Sequence, residues 1–110
     1  MTLLSNREQV LVTGGWSSGN YGVQLNTAEI YSISTGVWTY TSFPMPEKCE
    51  LHTATLLGNG RILIAGGNVS NAYYYDANVS SLWIPTKSMT QSNRRGLTAT
   101  LLYDGRVLIS

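Results

Sequence analysis

The sequence predicts an all-β fold built from a repeated antiparallel unit, and three observations carry that expectation. The first is self-similarity. Residues 51–67, LHTATLLGNGRILIAGG, return in part as residues 3–15 (LLSNREQVLVTGG) and as residues 97–110 (LTATLLYDGRVLIS), and an internal repeat marks a stacked architecture. The second is turn chemistry: Gly58-Asn59-Gly60 and Tyr103-Asp104-Gly105 separate runs of β-branched and large apolar residues. Asn-Gly and Asp-Gly between such runs are the strongest short-range hairpin signal, and they point to tight two-residue turns. The third is the lack of any apolar period of 3.6 sustained over even ten residues, so no helix is required.

The elements follow in order. Residues 10–13 (VLVT) and 62–65 (ILIA) read as second strands. They do not alternate apolar with polar, as a half-solvated strand would, and both their faces are expected to be covered. Gly14-Gly15 and Gly66-Gly67 end these strands where a side chain is hard to fit, at a bulge or a close backbone approach. Third strands are expected at 27–31 and 72–76, and fourth strands at 37–40 and 81–84, after turns at 34–36 and 77–80. Pro44, Pro46 and Pro85 lie at or beyond the fourth strands, where a missing backbone donor costs least. Trp38 and Trp83 are 45 residues apart, as are Gly60 and Gly105, whereas the two Gly-Gly pairs are 52 apart. One connection, between Gly15 and Tyr31, has therefore grown while the unit has been kept.

Composition narrows the function classes. Of 110 residues only 12% are charged, and the formal net charge is +1, so there is no electrostatic reason to expect nucleic acid or an anionic membrane as partner. Cys49 is the only cysteine, which rules out an intrachain disulfide and leaves the compartment open. No apolar run approaches the ~20 residues that span a bilayer, and residues 1–10 lack the basic and apolar regions of a signal peptide.

A four-stranded unit of about 45 residues has the length of one propeller blade. The residues also carry a family resemblance. An apolar strand, Gly-Gly, then Tyr31 or Tyr75, a Trp seven or eight residues later, Met45 or Met89, and a Thr-Ala-Thr strand form a unit that resembles the kelch repeat. Leu97 stands in the second unit where His52 stands in the first. The resemblance implies consecutive four-stranded antiparallel blades of a kelch-type β-propeller, here an incomplete ring. Residues 1–7 would end a preceding repeat, 8–57 and 58–102 form two units, and 103–110 open a third. Terminal blades expose apolar sheet faces, so further repeats in the same chain, or other copies of it, are expected to close the ring.

Alternating strand directions place the loops joining strands 2 to 3 and 4 to 1 at one end. That end collects residues 16–22, 44–49 and 87–95. Trp, Tyr and Arg are the types enriched among interface anchors, and the resemblance implies a loop-bearing face that holds a protein or peptide. Trp16, Tyr21, Lys48, Arg94 and Arg95 are the candidate partner-binding residues. Each has a plainer reading: the aromatics lid their loop or cover a blade edge, and the cations are solvated or tie down the strand that follows. Tyr31, Trp38, Tyr75 and Trp83 recur with the repeat, and recurrence assigns them to packing between blades.

Catalysis finds little support. Residues 12–19 lack the spacing, the helix and the Lys of a phosphate loop, and no G-x-S-x-G is present. The expectation is a non-catalytic scaffold without cofactor or metal. The alternative is part of a copper radical oxidase resembling galactose oxidase, with the catalytic residues outside this chain, because one His and Cys49 cannot furnish the site. Cys49, beside Lys48, could have a lowered pKa, though the reading preferred is an inert loop thiol. Asn68-Val69-Ser70 and Asn78-Val79-Ser80 fit the N-glycosylation pattern in expected turns.

Overall fold

The computed structural model describes residues 1–19, 21–78 and 82–110. Among them the secondary structure is strand and turn, without helix. β1 (Thr2–Leu3) and β2 (Gln9–Thr13) precede a small hairpin of β3 (Trp16–Ser17) and β4 (Val23–Gln24), followed by β5 (Ala28–Ser32) and β6 (Trp38–Tyr40). β1-β2-β5-β6 form one antiparallel four-stranded sheet, in that order. β7 (His52–Leu56), β8 (Ile62–Gly66), β9 (Tyr73–Asp76) and β10 (Leu82–Pro85) form a second with the same meander. β11 (Ala99–Leu101) and β12 (Val107–Ile109) begin a third unit. The sheets do not close into a ring. The hairpin of β3 and β4 fills the enlarged connection found in the sequence, a pairing the sequence does not predict; Asn20 lies outside the described residues, as do Val79, Ser80 and Ser81 of the expected turn and fourth strand.

The hairpins between strands one and two correct the expectation of two-residue turns. Leu57 N–H donates to Arg61 C=O at 2.8 Å and Gly60 N–H to Leu57 C=O at 3.0 Å, and Gly60 has φ +85°. This is a three-residue loop, a turn closed by one left-handed residue. Leu102 to Arg106 repeats it, with Gly105 at φ +87°. In all three units an Asx side chain accepts the N–H two residues on: Asn6 from Glu8 and Asn59 from Arg61, each at 3.0 Å, and Asp104 from Arg106 at 3.1 Å. Asn59 and Asp104 are thus there for their side-chain oxygen, and only the glycine after them needs positive φ. In the first unit Arg7 holds that left-handed position, at φ 57°.

Register sorts side chains onto two faces. In the second sheet Ile62, Tyr75 and Trp83 lie opposite one another on one row. Ile62 and Tyr75 are fully buried, in one cluster with Leu4, Leu11, Ala28, Met45 and Cys49 of the first unit and the segment after it. The front of the second sheet therefore leans on the rear of the first. Tyr75 and Trp83 touch, with ring centroids 4.9 Å apart, and the Trp83 indole N–H donates to Phe43 C=O at 2.9 Å. Next to the inner edge, Thr2 Oγ1 donates to Ala54 C=O at 3.0 Å, linking strand one of the first sheet to strand one of the second.

The first sheet repeats the row as Val10, Tyr31 and Trp38, with Tyr31 and Trp38 rings 4.8 Å apart. Its other face, carrying Leu11 and Ala28, is the buried one, so by alternation this row points away from the second sheet, and Trp38 is 53% exposed. The expectation of buried second strands holds closely for β8, with four of five residues buried, and less for β2, whose front is open.

The Gly-Gly pairs sit where successive units touch. Gly14 has φ 60°, and a Cβ there would overlap Cys49 C=O and come within 2.9 Å of His52 and Met45. Gly66, at φ 93°, would place its Cβ 2.8 Å from Leu97. His52 and Leu97 thus press on equivalent glycines, which explains why one replaces the other in the sequence.

Candidate interaction face

The loops joining strands two to three and four to one are bound into a belt of backbone hydrogen bonds. Gly15 N–H donates to Cys49 C=O at 3.0 Å, Leu25 N–H to Gly15 C=O at 2.9 Å, and Cys49 N–H to Leu25 C=O at 3.2 Å. One unit further on, Gly67 N–H donates to Arg94 C=O at 2.9 Å and Gly96 N–H to Leu51 C=O at 3.0 Å. Leu51 and Gly96, 45 residues apart, are both left-handed, at φ 54° and 65°. The backbone at this end is fixed from unit to unit by the same contacts.

A row of side chains runs over the belt. Asn68 Nδ2 donates to Gln24 Oε1 at 3.1 Å, Gln24 Nε2 donates to Glu50 Oε1 at 3.0 Å, and Arg95 Nη2 lies 3.9 Å from the same oxygen. Beside it, Ser88 Oγ donates to Asn71 Oδ1 at 2.8 Å and Asn71 Nδ2 donates to Glu47 Oε1. Glu47, Asn71, Cys49 and Tyr73 line a small cleft of about 250 Å³, including its open mouth, floored by Met45, Ile64 and Val69. Burial and the nearby Glu47 carboxylate push the Tyr73 phenol up from its ordinary value. Both loop-end carboxylates are thus engaged.

Of the residues expected at this face, Trp16 lies on β3 with its indole over Gly22, where a Cβ would overlap the ring. It is nonetheless 56% exposed. Tyr21, near the hairpin tip, is 97% exposed. Lys48 and Arg94 are exposed, and Arg95 is held only loosely by Glu50. The belt brings Arg94 and Arg95 beside the Gly66-Gly67 turn, and Lys48 precedes the Cys49 carbonyl that meets Gly15. Gln24, Glu50, Asn68 and Asn71 were missed. Asn68 stands just after a Gly-Gly strand end and Gln24 closes β4, both within 2-to-3 connections, and that shared placement is the signal that could have found them.

Two residues belong to the seam. His52 Nε2 is 2.7 Å from Thr13 Oγ1, and burial lowers its pKa, with a smaller push from the chain's amino terminus. Cys49 is buried, its thiol donating to Gly66 C=O at 3.4 Å, and burial raises its pKa. This fits the preferred reading of an inert thiol and not one activated by Lys48: loss of water dominates, and the nearby Glu47 and Glu50 carboxylates add to the rise. Among the described residues no group of three or more His, Cys, Asp and Glu is placed to hold a metal ion. Of the two glycosylation triplets, Asn68 is half-buried with its amide committed to Gln24, so that site is not the accessible turn expected. Asn78 is exposed, but Val79 and Ser80 lie outside the described residues.

No curated protein matches the chain. A family model described as Kelch motif matches residues 1–42, the stretch that holds the first four-stranded sheet, its Gly-Gly and the Tyr31–Trp38 pair. The chain therefore carries a kelch motif, in an all-β structure of antiparallel sheets consistent with incomplete blades of a kelch-type propeller.

Proposed function

We propose that the chain is a non-catalytic binding scaffold that holds a protein or peptide on its 2-to-3 and 4-to-1 loops. A kelch motif commonly serves protein interaction, and one observation carries the reading to this face. The loop backbones are locked across three units, yet Trp16, Tyr21, Lys48 and Arg94 are left exposed on them. A rigid backbone presenting aromatic and cationic side chains loses little conformational entropy on binding, which is what an interface anchor needs. On this reading residues 8–57 and 58–102 are the two sequence units, each opening on strand two while its sheet draws strand one from the residues ahead, and further repeats or other copies complete the ring.

The test is a selection of random peptides displayed on phage against the folded chain, followed by titration of the selected peptides. Enriched peptides that lose affinity ten-fold or more on Trp16→Ala or Arg94→Ala support the reading. Peptides indifferent to both changes, or no enrichment at all, would remove it.

A further inference from the structure

The cleft at the seam between the two four-stranded sheets is lined by a carboxylate that is only half satisfied. Glu47 Oε1 accepts from Asn71 Nδ2, whereas Glu47 Oε2 is buried and, among the described residues, accepts no hydrogen bond. A carboxylate oxygen withdrawn from water and short of a donor is costly to keep. A donor brought to it from outside therefore gains the strength of a charge-assisted bond. Both walls of the cleft belong to this chain: Met45 and Glu47 come from the link between the sheets, and Ile64, Val69 and Tyr73 from the second unit.

The lining selects the chemistry of that donor. Met45, Ile64 and Val69 are apolar, and the ionisable groups beside them carry no positive charge. One is the Glu47 carboxylate; another is the Tyr73 phenol, whose pKa is raised by burial first and by the Glu47 charge second, so that it stays neutral at neutral pH. An apolar stem with a cationic tip matches such a lining, because the methylenes of a lysine cover apolar wall while its ammonium meets an acceptor. A guanidinium matches less well. Its planar fork is made for two carboxylate oxygens, and Asn71 already takes one of them. The nearest cations in sequence stay out of the cleft: Lys48 is exposed, and Arg95 lies 3.9 Å from Glu50.

We propose that this cleft receives the side chain of a lysine from a bound peptide, its ammonium donating to Glu47 Oε2 and its methylenes lying on Met45, Ile64 and Val69. The inference rests on the peptide reading of the loop face only for the source of the lysine. Trp16 and Arg94 take no part in it.

The test is a titration of the whole, nitrogen-15-labelled chain with Nα-acetyl-lysine methylamide at neutral pH, with the Asn71 side-chain amide as the reporter in proton–nitrogen correlation spectra. Binding is expected to saturate with a Kd on the order of millimolar, as suits so small a ligand. The norleucine analogue keeps the stem and lacks the ammonium, and Glu47→Gln keeps an acceptor for Asn71 and lacks the charge. Each is expected to weaken binding ten-fold or more. An equal response to the norleucine analogue, an unchanged affinity in Glu47→Gln, or no saturable shift of the Asn71 amide would overturn the proposal. The peptides selected on phage separate it from the loop-face reading. Peptides that need Trp16 or Arg94 but bind Glu47→Gln as tightly as the parent sink the lysine cleft and keep the loop face. A lysine probe that binds through Glu47, while no peptide depends on Trp16 or Arg94, keeps the cleft and removes those anchors.

Discussion

Arg7 and Leu51 are the two non-glycine residues that occupy left-handed positions filled by glycine in another unit, Gly60 or Gly105 for Arg7 and Gly96 for Leu51. A side chain there costs on the order of 1 kcal/mol or more, only partly offset by the greater freedom glycine has in the unfolded chain. Arg7→Gly is therefore expected to raise stability by about 0.5–1 kcal/mol, read as a higher urea midpoint with an unchanged slope; a lower midpoint would contradict the turn geometry. His52 gives the second residue-scale expectation. Its folded-state pKa is depressed by burial, so the folded protein holds the ring neutral while the unfolded chain takes up a proton near the ordinary histidine value of 6.5. Stability is full above that pH and declines as pH falls below it, down to the folded-state value. The variant His52→Leu, which copies Leu97, is expected to flatten that decline in urea titrations between neutral and mildly acidic pH. An equally steep decline in the variant would place the titrating group elsewhere.

At the scale of elements, the same pair of aromatics has two environments. Tyr75 is fully buried between sheets, while Tyr31 forms the same ring contact on an open face. Tyr75→Ala is expected to cost about 3–5 kcal/mol as a large buried side chain, and Tyr31→Ala about 1 kcal/mol. Equal losses from the two changes, measured by chemical denaturation, would mean that neither depends on a neighbouring sheet. The strands themselves were legible in the sequence because period, turn residues and the Tyr–Trp spacing all agreed. The loop length of the hairpins was not, since Asn-Gly and Asp-Gly serve a two-residue turn and a three-residue loop alike, and the choice is made by which carbonyl the glycine N–H reaches. Nor was the β3–β4 pairing, where two-residue strands carry no period.

For the whole molecule, repetition told which residues lie between units but not which unit covers which. That direction emerges only from the register that puts Leu11 against Tyr75 and leaves Trp38 outside. The loop face was placed by strand alternation, yet its polar row of Gln24, Glu50, Asn68 and Arg95 was hidden because the four come from separate connections. The account depends on the two four-stranded sheets being stable only as a leaning pair. Native-state hydrogen exchange of backbone amides tests this most directly. The expected result is that Leu11 in β2 and Ile62, Ile64 and Tyr75 in the second sheet exchange with one shared opening free energy, and that Leu11→Val lowers all of them by the same amount. If the second sheet kept its protection while the first exchanged freely, the sheets would be independent and the account would be wrong.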